Sequence, residues 1–294
     1  MVSKSRADYW DALDDAIDED RAAHGKKPMK PEPREPQVKQ TKVSRSDPQA
    51  GYMVRDGKPK GFFYLDHRTV DGRCAIITDT YATPANVHDS IPYLSRLDRQ
   101  RQRFGFAVKT VGLDAGYATA AIARGLEERG VAGVTGYRNP TPPKSGMMRK
   151  SKFVYEAAAD AYRCPQGQAL SYATTDRTGY RHYKSDPTIC AACPLLASCT
   201  TNAKAERTIT RHVWQDARER VDAHRLTPWG KLVYARRKET VERSFADAKQ
   251  LFGHRYARFR GLTRVTCQCL MAAAAQNMKK IALSMGETSS LARA

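Results

Sequence analysis

A few acids set among bases, and one group of thiols, are the residues of this chain that could carry chemistry. Asp114 ends the apolar run of Val108, Val111 and Leu113 and is followed by Gly116-Tyr117 and a helix-forming stretch. In an open α/β sheet, reactive groups collect at the carboxyl ends of strands. From position alone Asp114 is either a functional carboxylate or a helix N-cap. Glu242 sits in YARRKETVERSFADAK, Tyr234 to Lys249, flanked by Arg236, Arg237, Lys238 and Arg243. On a helix, Lys238, Glu242 and Lys249 fall on neighbouring faces. One reading is an exposed, salt-bridged face; the other is a carboxylate for a divalent cation whose basic neighbours hold a phosphate. The thiols are Cys164, Cys190, Cys193 and Cys199, in the form C-x25-C-x2-C-x5-C. The close pair has zinc-ligand spacing, and four thiolates can close a tetrahedral structural site. Four reduced, unligated thiols are the alternative.

The elements that must position these groups follow from pattern. Residues 5–23 predict a helix with Leu13 and Ile17 on a short apolar stripe. The stretch from His24 to Lys42 carries Pro28, Pro31, Pro33 and Pro36 and reads as an extended linker. GFFYLDHRTV and RCAIITDTY predict a hairpin over residues 61–81, turning at Asp71-Gly72. A helix over 83–104 follows Pro84, with Val87, Ile91, Leu94 and Leu97 at helical spacing. A short strand then ends at Asp114, Ala118 to Arg129 form a helix stopped by Gly130, and VAGVTGY supplies a further strand. This order implies an α/β sheet of mixed direction. Residues 139–152 are a proline-rich basic loop, and 153–200 hold the clustered cysteines. Beyond them the chain reads as mainly helical, with one long helix over 229–252 and another over 262–284 that is apolar on most sides and therefore expected to be buried. Cys74, Cys267 and Cys269 stand apart in apolar or strand-like contexts and read as small buried hydrophobes.

The chain has 294 residues and a net charge of +19, which points to a polyanionic partner, since each neutralised phosphate releases a counterion. Residues 1–25 hold three Lys/Arg against seven Asp/Glu, whereas residues 201–294 hold nineteen against eight. Contact with nucleic acid is therefore expected in the C-terminal third. No run of about 18 apolar residues predicts a membrane span. The polar N-terminus lacks the apolar stretch of a signal peptide, so an intracellular protein with reduced cysteines is expected.

The stretches SDPQAGY, ITDTYATPANVHDS, VGLDAGYATAAIARGLEERG, RCPQGQALSYATTDRTGYRHYKSDPTICAACPLLASC and RRKETVERSFADAKQLFGHRYARFRGL resemble, in order, those of bacterial insertion-sequence transposases of the DDE type. The likeness spans roughly residues 1–285. It implies an α/β, ribonuclease-H-like mixed sheet with helices, interrupted by a small cysteine-rich, zinc-ribbon-like insertion and ending in a mainly helical part. The corresponding division is an acidic helix (1–25), a proline-rich linker (26–60), the first part of the core (61–138), a basic loop with the insertion (139–210), the helical part of the core (211–285) and a tail (286–294). It further implies metal-dependent strand cleavage and transfer on double-stranded DNA, the element's terminal repeats and its target. Asp114 matches the family's second catalytic Asp, Glu242 its catalytic Glu and Lys249 the basic partner. Asp114 and Glu242 would bind Mg2+ or Mn2+; Cys164, Cys190, Cys193 and Cys199 a structural Zn2+; Arg236, Arg237, Lys238, Arg243, Arg255, Arg258 and Arg260 DNA. A homo-oligomer on DNA, cytoplasmic and associated with the nucleoid, is implied as well. Tyr234 and Arg237 stand one residue further upstream of Glu242 than the commonest family pattern.

One expected feature has no counterpart. The family's first catalytic Asp lies in a Val-Asp-Ala/Gly-Thr motif upstream of an acidic helix, and the chain begins at that helix. Asp47 lies in a polar loop, Asp71 in a turn, and Asp66 and Asp79 inside strands without a matching context. The expectation is a fragment, from truncation or a split reading frame. It is either an enzyme completed by its missing part or an inactive module that binds DNA or full-length transposase. A zinc-ribbon RNA-binding protein is the third possibility, with no stacking-aromatic signature to support it.

Overall fold

The computed structural model describes residues 2–32, 40–55, 57, 59–137, 139–141, 143 and 146–291. In chain order the elements are α1 (Val2–Ala23), β1 (Gly51–Met53), β2 (Gly61–Val70), β3 (Ile77–Pro84), α2 (Tyr93–Phe104), β4 (Thr110–Leu113), α3 (Ala120–Glu128), β5 (Ala132–Thr135), β6 (Val154–Glu156), β7 (Ala161–Arg163), β8 (Ala169–Thr175), β9 (Tyr180–Ser185), α4 (Pro187–Ala191), α5 (Leu196–Cys199), β10 (Thr208–His212), α6 (Gln215–His224), α7 (Pro228–Ala235), a π-helical turn (Lys238–Glu242), α8 (Arg243–Leu251) and α9 (Leu262–Leu291). The chain is mixed α/β. It divides into two compact units, one made of residues 35–136 and 221–294, the other of residues 3–34 and 137–220. Pro33 and Pro36 of the expected linker lie outside the described residues.

In the first unit, β2 pairs antiparallel with β1 over residues 61–63 and with β3 over 64–70, while β4 and β5 pair parallel. The βα-crossover between β4 and β5 works because Thr119 caps α3, its side chain accepting the Ile122 N–H, and Gly130 ends it at φ +63°. Ile122 and Leu126 on α3 bury with Tyr93 and Leu97 of α2, Leu113 of β4 and Val131. On α9, Val265 and Cys269 bury against Ala82 of β3.

In the second unit, five strands form one antiparallel sheet in the order β10-β9-β8-β7-β6. Phe153, Tyr162, Leu170, Tyr183 and Ile209 bury together on it. α1 belongs to this unit: Leu13 and Ile17 are buried, and Asp20 pairs with Arg181 at 2.6 Å.

Five sequence expectations change. The turn after β2 spans more than Asp71-Gly72. Asp71 N–H donates to Ile76 C=O at 2.8 Å, and the Asp71 carboxylate accepts the N–H groups of Arg73 and Cys74, an Asx-type turn that competes with the two-residue loop. The helix expected from residue 83 starts only at Tyr93, because Pro92 disfavours helical backbone in the residue before it. The long helix over 229–252 is broken into α7, the π-helical turn and α8; Glu242 N–H bonds to Arg237 C=O, an i→i−5 step that inserts one residue into the helix. α9 is buried on one face only: Val265, Cys269, Ala272 and Ala273 are buried, while Leu270, Met271, Met278 and Ile281 are exposed. Of the three isolated cysteines Cys269 is buried, whereas Cys74 and Cys267 are exposed; one lies in the polar turn and the other on the outer face of α9. No helix among the described residues is long and apolar enough to cross a membrane.

Candidate active site and cysteine cluster

β4 ends on the buried Leu113, and the backbone leaves it at Asp114 in an extended conformation. Asp114 Oδ1 accepts the Gly116 N–H at 2.6 Å, so this residue caps a short 3-10 turn while its side chain stays exposed. Asp89 approaches the same turn. A Cβ on Gly116 would lie 3.3 Å from Asp114 Oδ1 and 3.9 Å from Asp89 Oδ2, so two carboxylates flank one glycine. Asp89 Oδ1 is in turn 3.4 Å from Nδ1 of the buried His67, whose Nε2 lies 2.8 Å from Thr83 Oγ1. Burial, reinforced by Arg96, pushes His67 down to about 4, so the ring is neutral at pH 7. Burial also raises Tyr117, beside these acids, to about 12, and it stays a phenol.

The second wall of this site comes from α7 and the π-helical turn. A Cβ on Gly112 would lie 3.3 Å from Val233 C=O and 3.4 Å from Arg237 Cγ, and one on Gly136 would lie 2.7 Å from the Tyr234 hydroxyl. These two glycines let the helix sit directly on the end of the parallel strand pair. Arg237 stacks over the Tyr234 ring at 5.0 Å, and its Nη1 lies 3.7 Å from Glu242 Oε1. Its side chain is only 14% exposed, against 51% for Glu242. π-Helical turns recur at functional sites because they re-aim side chains that a regular helix would point elsewhere.

The structure brings together Asp114, Tyr234 and Arg237, with Glu242 linked through Arg237. Lys249, Arg236, Lys238, Arg243, Arg255, Arg258 and Arg260 lie at least partly exposed. Sequence reasoning passed over Asp89 and His67; the only signal was the presence of Asp89 in ITDTYATPANVHDS. The other acids are committed elsewhere. Asp47 accepts from the Tyr64 hydroxyl at 2.8 Å and from Gly261 N–H at 3.2 Å, Asp79 pairs with Arg96 and Arg99, and Asp71 holds its own turn. Burial opposes ionisation of Asp66, yet hydrogen bonds from His254, Arg68 and Thr80 outweigh it and hold its carboxyl below the ordinary range.

A divalent cation needs oxygen ligands that converge on one point. Among the described residues, the only group of three or more metal-ligating side chains with all ligand atoms within 4.8 Å is Asp66, His254 and Cys269. Arg68 already occupies Asp66 at 2.8 Å, and burial raises the Cys269 thiol to about 12, so this group is a buried ion pair beside a neutral thiol. Asp114 and Glu242 belong to no such group, and the described carboxylates do not by themselves fit a divalent cation there.

In the second unit, Cys164 and Cys199 pack on the aromatic core of the sheet. Cys164 opens a tight turn, its C=O accepting the Gly167 N–H at 2.9 Å, and Cys193 N–H donates to Cys190 C=O at 3.0 Å. Burial raises the Cys199 thiol, and Cys190, Cys164 and Cys193 add to the shift against the opposing Arg207. All four are free thiols, and the other three lie near enough to Cys199 to act on it electrostatically, but no three of the four sulfurs lie within 4.8 Å of one another.

Residues 163–282 match a family model described as "Transposase DDE domain". The match begins one residue before Cys164 and takes in all four clustered cysteines, Glu242 and Lys249; Asp114 lies upstream of it. No curated protein and no solved structure matches the chain.

Proposed function

We propose, from the match of residues 163–282 to the transposase DDE domain model, that the chain is the greater part of a DDE transposase core that binds the ends of a mobile element and takes part in cutting and joining its strands. Members of this family act on DNA and use divalent ions such as Mg2+. The observation that supports the reading is the packing of α7 and the π-helical turn on β4: Arg237 lies against Gly112, two residues before Asp114, and 3.7 Å from Glu242. Carboxylates at a strand end beside cationic side chains suit an enzyme that must hold a phosphodiester in a fixed orientation. In this reading the first unit is the ribonuclease-H-like part and the second unit is the inserted module.

The roles follow from position. Asp114 and Glu242 supply carboxylate oxygens. Arg237, stacked and mostly buried, orients Glu242. Arg236, Lys238, Arg243, Arg255, Arg258 and Arg260 hold backbone phosphates as forks and point charges. Lys249 acts as a basic partner on the same helical segment as Glu242. The four cysteines hold zinc, which draws their sulfurs together on binding. A catalytically silent DNA-binding module is the second reading, favoured by carboxylates that do not converge on one point.

The test is a duplex carrying the inverted repeats that flank the coding region. Binding whose log–log salt slope is several units, and Mn2+-dependent nicking lost in Asp114→Ala and Glu242→Ala when the complete transposase is assayed, support the enzyme. Binding without nicking in the complete protein leaves the silent module. No preference for duplex over a neutral polymer overturns both readings.

A further inference from the structure

Between α8 and α9 the chain runs His254-Arg255-Tyr256-Ala257-Arg258-Phe259-Arg260-Gly261. The sequence offers arginines for phosphate here. The structure adds that both rings of the segment face solvent, Tyr256 at 77% exposure and Phe259 at 50%. Every residue from Arg255 to Arg260 is exposed. Among the described residues, neither ring stacks on another, the Tyr256 hydroxyl has no hydrogen-bond partner, and none of Arg255, Arg258 and Arg260 has a carboxylate within ion-pair distance.

The loop that presents these side chains is pinned at both ends and in its middle. At its start, His254 N–H donates to Ala248 C=O at 2.9 Å, and the ring lies 3.1 Å from the Asp66 carboxylate. In its middle, the Gln268 side chain on α9 holds the backbone: Nε2 donates to Tyr256 C=O at 2.8 Å, and Oε1 accepts Arg258 N–H at 2.9 Å. At its end, Gly261 N–H donates to Asp47 at 3.2 Å and Leu262 N–H to Gln49 at 2.7 Å. Those two bonds occupy donors at the start of α9, so an anion here is held by side chains and not by the helix terminus. Gly253, at φ +61°, makes room for the Arg258 guanidinium, which a Cβ at that position would strike. Ordering the backbone before a ligand arrives removes that entropic cost from binding.

We propose that residues 255–260 form a platform for single-stranded DNA, on which Tyr256 and Phe259 each stack an unpaired base while Arg255, Arg258 and Arg260 hold its phosphates. Every base has a π face, so stacking on a ring tolerates any sequence, and cationic side chains beside the rings track the backbone. A duplex engages only the arginines, because its bases are stacked on one another and offer no face to a ring. An acidic peptide also engages the arginines and leaves both rings without a role. The rings stand three residues apart, at most about 10 Å along the chain, so one short strand reaches both. The assignment rests on the reading of the chain as a DNA-binding protein and adds unpaired strand to the forms of DNA it takes.

The experiment uses the whole chain with fluorescent oligo(dT) of about twelve nucleotides, an abasic strand carrying the same phosphates, and a duplex of mixed sequence. Anisotropy should show oligo(dT) bound about tenfold more tightly than the abasic strand. Tyr256→Ala and Phe259→Ala should each weaken oligo(dT) binding about tenfold, with duplex affinity and melting temperature unchanged because both rings are exposed. Tyr256→Trp, which keeps a stacking face, should bind oligo(dT) as the wild type does. Equal binding of the abasic strand and oligo(dT), or alanine variants that bind oligo(dT) like the wild type, overturns the platform. So does poly-glutamate that binds more tightly than oligo(dT) and loses its affinity in the same variants. Duplex binding without oligo(dT) binding sinks the platform and leaves the transposase reading standing. Base-dependent oligo(dT) binding without duplex binding does the reverse.

Discussion

The two units carry their β-structure in different ways. In the second unit all five strands run as a meander, each joined to the next in sequence, so every inner edge is paired by the strand next to it in the chain. In the first unit the strands fall into a three-stranded and a two-stranded group, and β2 and β4 present open edges to a cavity. Local hairpins close a sheet from within its own sequence. A sheet assembled through crossovers depends instead on segments that lie far apart in the chain. The same contrast holds for the sites: the four cysteines fall within 36 residues of one another in sequence, whereas Asp114 and Glu242 stand 128 residues apart.

The largest effect should come from the carboxylates of the open unit. On the proposed reading as a strand-cutting enzyme, Glu242→Gln should lower nicking by about four orders of magnitude, the scale on which one member of a catalytic group is lost, with duplex binding within twofold of wild type, about 0.4 kcal/mol. Retained nicking would move the reaction away from the π-helical turn. In the closed unit the sharpest test is metal removal. A strong chelator, or Cys193→Ser, should lower the second unit's melting temperature by about 10 °C or more and leave amide exchange in β2 and β4 unchanged. A wild-type chain that purifies without zinc, together with a Cys193→Ser variant that melts at the same temperature, would reduce the cysteines to packing.

Acid titration addresses both units. Burial holds His67 in the first unit and His212 in the second down to about 4. Unfolded histidines take a proton near 6.5. Between these values the unfolded chain binds more protons than the folded one, so stability is full above about 6.5 and is lost as pH falls toward 4. Each histidine accounts for at most about 3 kcal/mol. His67→Leu should flatten the acid limb of the first unit's melting curve only, and His212→Leu that of the second; an unchanged limb would mean that the rings titrate freely. The smallest effect belongs to the exposed arginines. Arg255→Ala, Arg258→Ala and Arg260→Ala should each reduce the salt slope of duplex binding by about one, and a slope that does not move would put the phosphates elsewhere.

Much of this architecture is legible without coordinates. The β4-α3-β5 crossover is written in the apolar run before Asp114, in Thr119 as a cap and in Gly130 as a stop, because these are local backbone preferences. The beginning of α2 is not, since Pro92 decides it and helical spacing upstream misleads. The π-helical turn is not, because one inserted residue leaves the 3.6-residue pattern nearly intact on either side.

The sequence alone determined the chemistry on offer: the acids at residues 114 and 242, the four cysteines and the basic C-terminal third, all matters of residue type and spacing. Tertiary structure alone decided which of these meet. It set Asp89 and the neutral His67 beside Asp114, tied Asp47, Asp66 and Asp79 to other partners, stacked Arg237 on Tyr234 next to Glu242, and left β2 and β4 facing each other across a gap. Those outcomes depend on which side chains become neighbours when distant segments pack, and a carboxylate's role is fixed by the partners that reach it first.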